Sequence, residues 1–159
     1  MRENRFIAEH RGGPLTRGHH QQLIRWACEC CNHVMYLLGD KPDDRLFEAL
    51  NVAHRWIQGD ASVGQARKAS VDAIAAANSS LNPTEIAVAR AVGHAAATAH
   101  MADHCLGSAL YALKAVRSAG GSVEAERHWQ TDRLPLEIRD LVLSSVKYGY
   151  IESTSNTET

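Results

Sequence analysis

The stretch from Ala87 to Ala99 constrains the fold of this chain more than any other feature. Seven of its thirteen residues are alanine, and a further small residue, Gly93, lies in the middle. A helix of this composition is narrow on nearly every side, so neighbouring helices can approach it closely. The stretch is therefore predicted to be the central helix of a bundle. The larger side chains expected to fill the space around it are Trp26, Leu50, Trp56, Leu110 and Trp129.

The rest of the chain also has helical patterning. Apolar residues recur every three or four positions, and alternating β-branched runs are missing from the sequence. We expect an all-α fold, a single compact bundle of about seven helices around the central Ala-rich helix. Polar caps and prolines mark the starts of these helices, and glycines mark several ends. The expected helices run from Thr16 to Gly39, Pro42 to Gly59, Ser62 to Ala77, Asn82 to His100, Asp103 to Ser118, Ser122 through Trp129, and Pro135 to Gly149.

The boundary between the fourth and fifth helices has no strong sequence signal. Neither proline nor terminal glycine interrupts the pattern between Pro83 and Ser118, and one continuous helix of that length would extend ~50 Å. Because that is too long for a compact domain of this size, we expect a break near His100–Asp103, with Asp103 as the new N-cap. A continuous helix is the alternative. In the last helix, the residues expected to face inward are Ile138, Leu141, Val142 and Val146.

Composition and charge indicate the class of protein. Residues 1–151 are expected to form one all-helical domain, and the Ser- and Thr-rich residues 152–159 a disordered tail. With 17 basic and 18 acidic residues the net charge is −1, so neither nucleic acid nor a membrane is expected as a partner. Apolar runs fall short of the ~20 residues of a membrane span, and the first residues lack a signal-peptide pattern. A cytoplasmic protein is expected, with homo-oligomer formation left open.

Three histidines in and after the Ala-rich stretch are the main candidates for a ligand site. On a straight helix His100 and His104 would lie ~40° apart, whereas His94 would lie ~80–120° away from them. A break between residues 101 and 103 would let all three converge, with Asp103 or Cys105 as a further ligand. The alternative is that each histidine makes one hydrogen bond across a helix interface. The candidate ligand-binding residues are therefore His94, His100, Asp103 and His104, and no metal, cofactor or catalytic residue is assigned.

Other reactive residues give weaker signals. Cys28 and Cys31 form a C-x-x-C, which suits a redox pair or half of a zinc site, but the sequence lacks the second ligand pair that zinc needs. The alternative is that Cys28 and Cys31 are buried free cysteines.

His19 and His20, in the first turn of a helix, are expected to be solvated. The sequence lacks nucleophile elbows, P-loops and dinucleotide-binding motifs, so an enzyme is not expected.

Several segments have a distinctive pattern: residues 9–15 (EHRGGPL), 26–28 (WAC), 64–67 (GQAR), 89–104 (ARAVGHAAATAHMADH) and 111–115 (YALKA). Through these segments the chain resembles, over roughly residues 5 to 143, a bacterial family of immunity proteins of polymorphic toxin systems. The resemblance implies an all-α protein that neutralises a cognate toxin by binding it in the cytoplasm of the producing cell. Such a protein needs an exposed binding surface and no catalytic residues.

Two other hypotheses compete with this one. A small helical protein could bind a metal or another ligand through His94, His100 and His104. A thiol redox protein could use Cys28 and Cys31, and it would form a disulfide on mild oxidation.

Overall fold

The computed structural model describes residues 3–40 and 42–149. These residues form helices and turns and no β-strand, and an isolated β-bridge joins Ala8 to Leu15. The predicted all-α class is therefore confirmed. The α-helices are α1 (Arg17–His33), α2 (Asp44–Ile57), α3 (Val63–Asn78), α4 (Pro83–Ala97), α5 (His104–Ser118), α6 (Val123–Asp132) and α7 (Leu136–Leu143). Short 3₁₀ turns lie at Asn4–Phe6, Glu9–Arg11 and Met35–Leu38.

Several helices start where the capping residues predict. The Thr16 hydroxyl accepts a hydrogen bond from the His19 N–H at 3.2 Å at the start of α1. Ser62 and Gln65 form a reciprocal capping box at the start of α3, and the Asn82 side chain accepts from the first N–H groups of α4. The N–H groups in the first turn of a helix have no acceptor within that helix. A polar side chain just before the first turn accepts from them, and its position therefore determines where the helix begins.

Helix α4 lies at the centre of the bundle and packs against α1, α2, α3 and α5, as predicted. Its small residues permit this. A Cβ atom on Gly93 would lie 2.7 Å from Ile74 Cδ1, and the Ser70 hydroxyl donates to the Gly93 carbonyl at 2.8 Å. A larger residue at Gly93 would push α3 away. Of the large side chains expected around α4, Trp26, Leu50 and Trp56 are buried, and Leu110 and Trp129 are half-buried.

The predicted break between the fourth and fifth helices is confirmed, because α4 ends at Ala97 and α5 begins at His104. The Thr98 hydroxyl donates back to the His94 carbonyl at 2.9 Å at the end of α4. Asp103 occupies the N-cap position, but its side chain makes no capping hydrogen bond. The reason is its backbone, which is already helical at φ −66° and ψ −12°, whereas capping side chains need an extended backbone to reach the first turn.

The first helix is shorter than predicted. Helix α1 ends at His33, and a 3₁₀ turn over Met35–Leu38 continues the chain to Gly39, where φ is 73°. Tighter turns of this kind are common at helix ends, and the apolar pattern alone does not distinguish them from a continuing α-helix.

The last helix is also interrupted, and the prediction that Val146 faces inward is wrong. Helix α7 ends at Leu143, residues 146–149 form a separate helical turn, and Val146 is 71% exposed while Tyr148 is buried. The Glu3 carboxylate accepts a hydrogen bond from the Val146 N–H at 2.8 Å and so caps the new turn. The cap comes from the opposite end of the chain, so local patterning could not reveal it. The predicted tail, residues 152–159, lies outside the described residues.

Candidate functional site

The connection between α4 and α5 brings two of the four candidate residues into contact. The Nδ1 atoms of His94 and His104 lie 3.0 Å apart, and the ring centroids are separated by 5.1 Å. A hydrogen bond between two Nδ1 atoms requires one ring to donate and the other to accept, so at least one ring is neutral. Burial, reinforced by the charge that His104 can carry, lowers the pKa of His94 from its ordinary 6.5 to about 4.

A glycine in α5 makes room for the His94 ring. A Cβ atom on Gly107 would lie 2.6 Å from His94 Nδ1, and the ring packs on Tyr111 with centroids 5.2 Å apart. The imidazole is therefore held between the backbone of α5, the phenol ring and His104. The His94 ring thus joins α4 to α5 close to their connection.

We expect Gly107→Ala to destabilise the protein by about 1–2 kcal/mol, although alanine is the better helix former. The added methyl group would force the His94 ring out of contact with Tyr111 or His104, and this cost exceeds the gain in helix propensity. Chemical denaturation monitored by circular dichroism would measure the change.

The matched control is Gly18→Ala in α1, where a Cβ atom would have no neighbour within 4 Å. That variant should be as stable as the parent or slightly more stable. Equal stability changes in the two variants would contradict the packing role of Gly107.

The other two candidate residues lie elsewhere. His100 Nδ1 accepts a hydrogen bond from Arg11 Nη2 at 3.3 Å, and Arg11 Nη1 donates to Met101 Sδ at 3.4 Å. His100 and Asp103 both line a cavity of about 270 Å³ between the N-terminal segment and the α4–α5 connection. The structure thus gives a His94–His104 pair and a separate cavity, and within the described residues no three His, Cys, Asp or Glu side chains converge as metal ligands.

The participation of Arg11 was not foreseen from the sequence, although the EHRGGPL segment contained a signal. A Cβ atom on Gly13 would lie 2.0 Å from the Ile7 carbonyl oxygen, and Gly12 has a φ of +82°. The Glu9 N–H donates to the Leu15 carbonyl at 2.8 Å across the resulting loop. The paired glycines are therefore needed for a tight loop that carries Arg11 to the α4–α5 connection.

The prediction that His20 is solvated is wrong. Its side chain is buried, and its Nε2 donates to the Thr98 carbonyl at 2.6 Å. Burial lowers the pKa of His20 below the ordinary 6.5, so the ring is neutral near pH 7. The bond joins α1 to the residue just after α4. A position in the first turn of a helix suggested that the ring is solvated, but this side of α1 faces Trp56, whose ring centroid lies 4.7 Å from that of His20.

The cysteines are buried and reduced. Cys28 and Cys31 are free, and the Cys31 thiol donates to the Cys28 carbonyl at 3.3 Å. Burial raises the pKa of Cys31 to about 12 and that of Cys28 well above its usual range. Because the thiolate is the reactive form, this environment favours the interpretation of these residues as small core side chains.

The opposite end of the bundle is a second concave region. The chain after α1, the start of α2, the end of α3 and the start of α4 surround a cavity of about 320 Å³. Three large apolar side chains in these segments are exposed: Tyr36 at 71%, Phe47 at 52% and Leu81 at 99%. Asp43, which pairs with Arg45, and Glu85 line the cavity. We call residues 35–40, 42–48 and 79–85 the end face.

Comparison with known proteins identifies the family. A family model described as "Imm-5 like putative immunity protein" matches residues 13–137. The chain belongs to this family. The range matched by the immunity-protein model includes all four candidate residues of the α4–α5 region but begins after Arg11. No curated protein and no solved structure matches the chain. None of the described helices combines the length and apolar composition that crossing a membrane requires.

Proposed function

We propose that this chain binds and neutralises a cognate toxin of a polymorphic toxin system in the cytoplasm of the cell that makes both. The observation that carries the proposal is its membership of an immunity protein family over residues 13–137. Neutralisation is by occlusion of the toxin in a stoichiometric complex, so the chain needs a complementary surface of roughly 800 Å² and no catalytic group.

The end face is the surface on which we expect the toxin to bind. Tyr36, Phe47 and Leu81 expose apolar area that a partner could cover, and buried aromatic residues contribute disproportionately to the centres of protein interfaces. The adjoining cavity can receive a side chain of the partner. Other exposed apolar residues, such as Val71 and Leu136, lie outside the end face.

Charge indicates the kind of partner. The sequence over residues 35–48 and 79–85 has five carboxylates, on Asp40, Asp43, Asp44, Glu48 and Glu85, against two cationic side chains. All five are exposed. A partner with a cationic patch would be attracted, and the association rate would fall as salt screens the charges.

Titration calorimetry with the toxin domain encoded beside this chain would test the proposal. We expect an equimolar complex with a dissociation constant in the micromolar range or below. A mass measurement of each protein before mixing would establish whether the binding unit is a monomer or a homo-oligomer. Absence of binding at tens of micromolar protein would overturn the proposed function.

Substitution on the end face would test where the toxin binds. Tyr36→Ala and Leu81→Ala should each weaken the complex by about tenfold or more, because each removes an apolar side chain from the interface centre. Val71→Ala and Val146→Ala are matched controls, since these exposed residues lie outside the end face. If only the control variants weakened binding, the toxin would bind elsewhere and the immunity role would stand.

A further inference from the structure

The cavity of the end face has an apolar wall and a polar wall. Three helices contribute the apolar wall through buried side chains, Leu46 of α2, Ala76 of α3 and Ala89 of α4. The polar wall consists of exposed or half-buried residues, which are Asp43, Ser79, Ser80 and Glu85. The volume of about 320 Å³ lies at the lower end of the ~300–1,000 Å³ typical of ligand pockets, which leaves room for one long side chain of a bound protein.

The two carboxylates of the polar wall differ in how their charge is compensated. Arg45 Nε and Nη2 donate to the two carboxylate oxygens of Asp43 at 3.0 and 2.8 Å, so this charge is balanced within the end face. Glu85 forms no ion pair with any side chain that the structure describes. The cavity therefore has one negative charge that a partner could neutralise.

A serine holds the Glu85 carboxylate beside the cavity. An acidic residue at this position of a helix often accepts from the N-cap N–H, but here the Asn82 N–H donates to Ser80 Oγ at 3.1 Å. The Ser80 hydroxyl in turn donates to Glu85 Oε2 at 2.7 Å. The Asn82 side chain accepts from the first N–H groups of α4, so Glu85 is not needed for capping. A carboxylate can accept about four hydrogen bonds, and most of this capacity is open to a partner.

The two walls together select the kind of side chain that fits. Lysine and arginine combine an apolar stem, which can lie along buried alkyl groups, with a cationic head that binds carboxylates. An aliphatic or aromatic side chain would cover the apolar wall but would remove water from Glu85 without replacing its hydrogen bonds. An acidic side chain would be repelled by the charge of Glu85.

We infer that the toxin inserts one lysine or arginine side chain into the cavity of the end face, where the stem packs on the apolar wall and the head binds the Glu85 carboxylate. This inference rests on the proposed function, because the partner is the cognate toxin. Glu85 thereby determines specificity, since a toxin without a basic side chain at the matching position would leave this carboxylate buried and unpaired.

Binding kinetics of Glu85→Gln would test the inference. The variant should raise the dissociation rate of the toxin complex by about tenfold or more, because it removes one partner of a charge pair that the complex buries. The matched control is Glu124→Gln, which removes an exposed carboxylate from the first turn of α6, outside the end face. The control should leave the dissociation rate unchanged.

A charge reversal would identify the toxin side chain. Glu85→Lys should weaken binding more than Glu85→Gln, and one Lys→Glu or Arg→Glu change in the toxin should restore at least about tenfold of the lost affinity. Circular dichroism would establish that each variant is folded, which is expected because Glu85 is exposed.

The outcomes separate this inference from the proposed function. If the parent binds the toxin and Glu85→Gln dissociates at the parent rate, or changes only the association rate, Glu85 holds no inserted side chain and the immunity role stands. Failure of every folded toxin variant to restore binding to Glu85→Lys would likewise overturn the inserted side chain alone. If the parent does not bind the toxin at tens of micromolar protein, the proposed function fails and this inference fails with it.

Discussion

Replacing Gln130 by leucine should lower the free energy of unfolding by about 3–5 kcal/mol. The Gln130 side chain is fully buried, and its Nε2 donates to the Ala109 carbonyl at 3.0 Å. Its Oε1 accepts from the Tyr148 hydroxyl, also at 3.0 Å. Leucine has a similar size but no polar atoms, so the variant would leave a buried carbonyl and a buried hydroxyl without these partners. Each such loss costs about 1–3 kcal/mol, and repacking adds to it. Urea denaturation would measure the change.

Two further variants separate this network from a general effect of leucine. Gln58→Leu, at an exposed position after α2, should change stability by less than about 0.5 kcal/mol. Adding Tyr148→Phe to Gln130→Leu should cost less than the sum of the single changes, because both single changes remove the same hydrogen bond. Strict additivity would show that the Tyr148–Gln130 bond contributes nothing.

Acidification from pH 7 to pH 4 should remove about 2 kcal/mol of stability through His94 alone. In the folded state the pKa of His94 is about 4, below the ordinary 6.5. Between these values the unfolded chain binds a proton at this residue and the folded chain does not, so protons favour unfolding. The contribution is complete above pH 6.5 and is lost as the pH falls towards 4. His20, whose pKa burial also lowers, acts in the same direction.

Denaturation midpoints measured at half-unit steps from pH 7 to pH 4 would test this expectation. His94→Gln should flatten the pH profile by about 2 kcal/mol over that interval, because glutamine does not titrate. His54→Gln removes an exposed histidine of α2 and should leave the profile unchanged. A His94→Gln profile parallel to that of the parent would contradict a neutral, buried His94.

Most of the fold could be predicted because its signals are local. Thr16, Ser62 and Asn82 cap helices through side-chain bonds to the next few residues, and the small residues around Gly93 allow close approach. The interruption of the last helix at Val146 could not be predicted in this way. It depends on the Glu3 carboxylate, which lies more than a hundred residues earlier in the chain.

The candidate site was only partly accessible from the sequence. His94 and His104 do meet, as a break in the helix would allow, but His100 contacts Arg11, which the histidine pattern did not include. The direction in which His100 points depends on how the N-terminal loop packs. His20 shows the same limit, because its burial follows from the placement of Thr98 and Trp56.

The sequence by itself determined the all-α class, most helix starts, the break after the Ala-rich helix and the family, because backbone capping and side-chain size act over a few residues. Only the tertiary structure decided which histidine meets which partner, where Arg11 lies and how the chain closes at Tyr148. Those contacts join residues far apart in sequence, and their geometry exists only once the helices have packed.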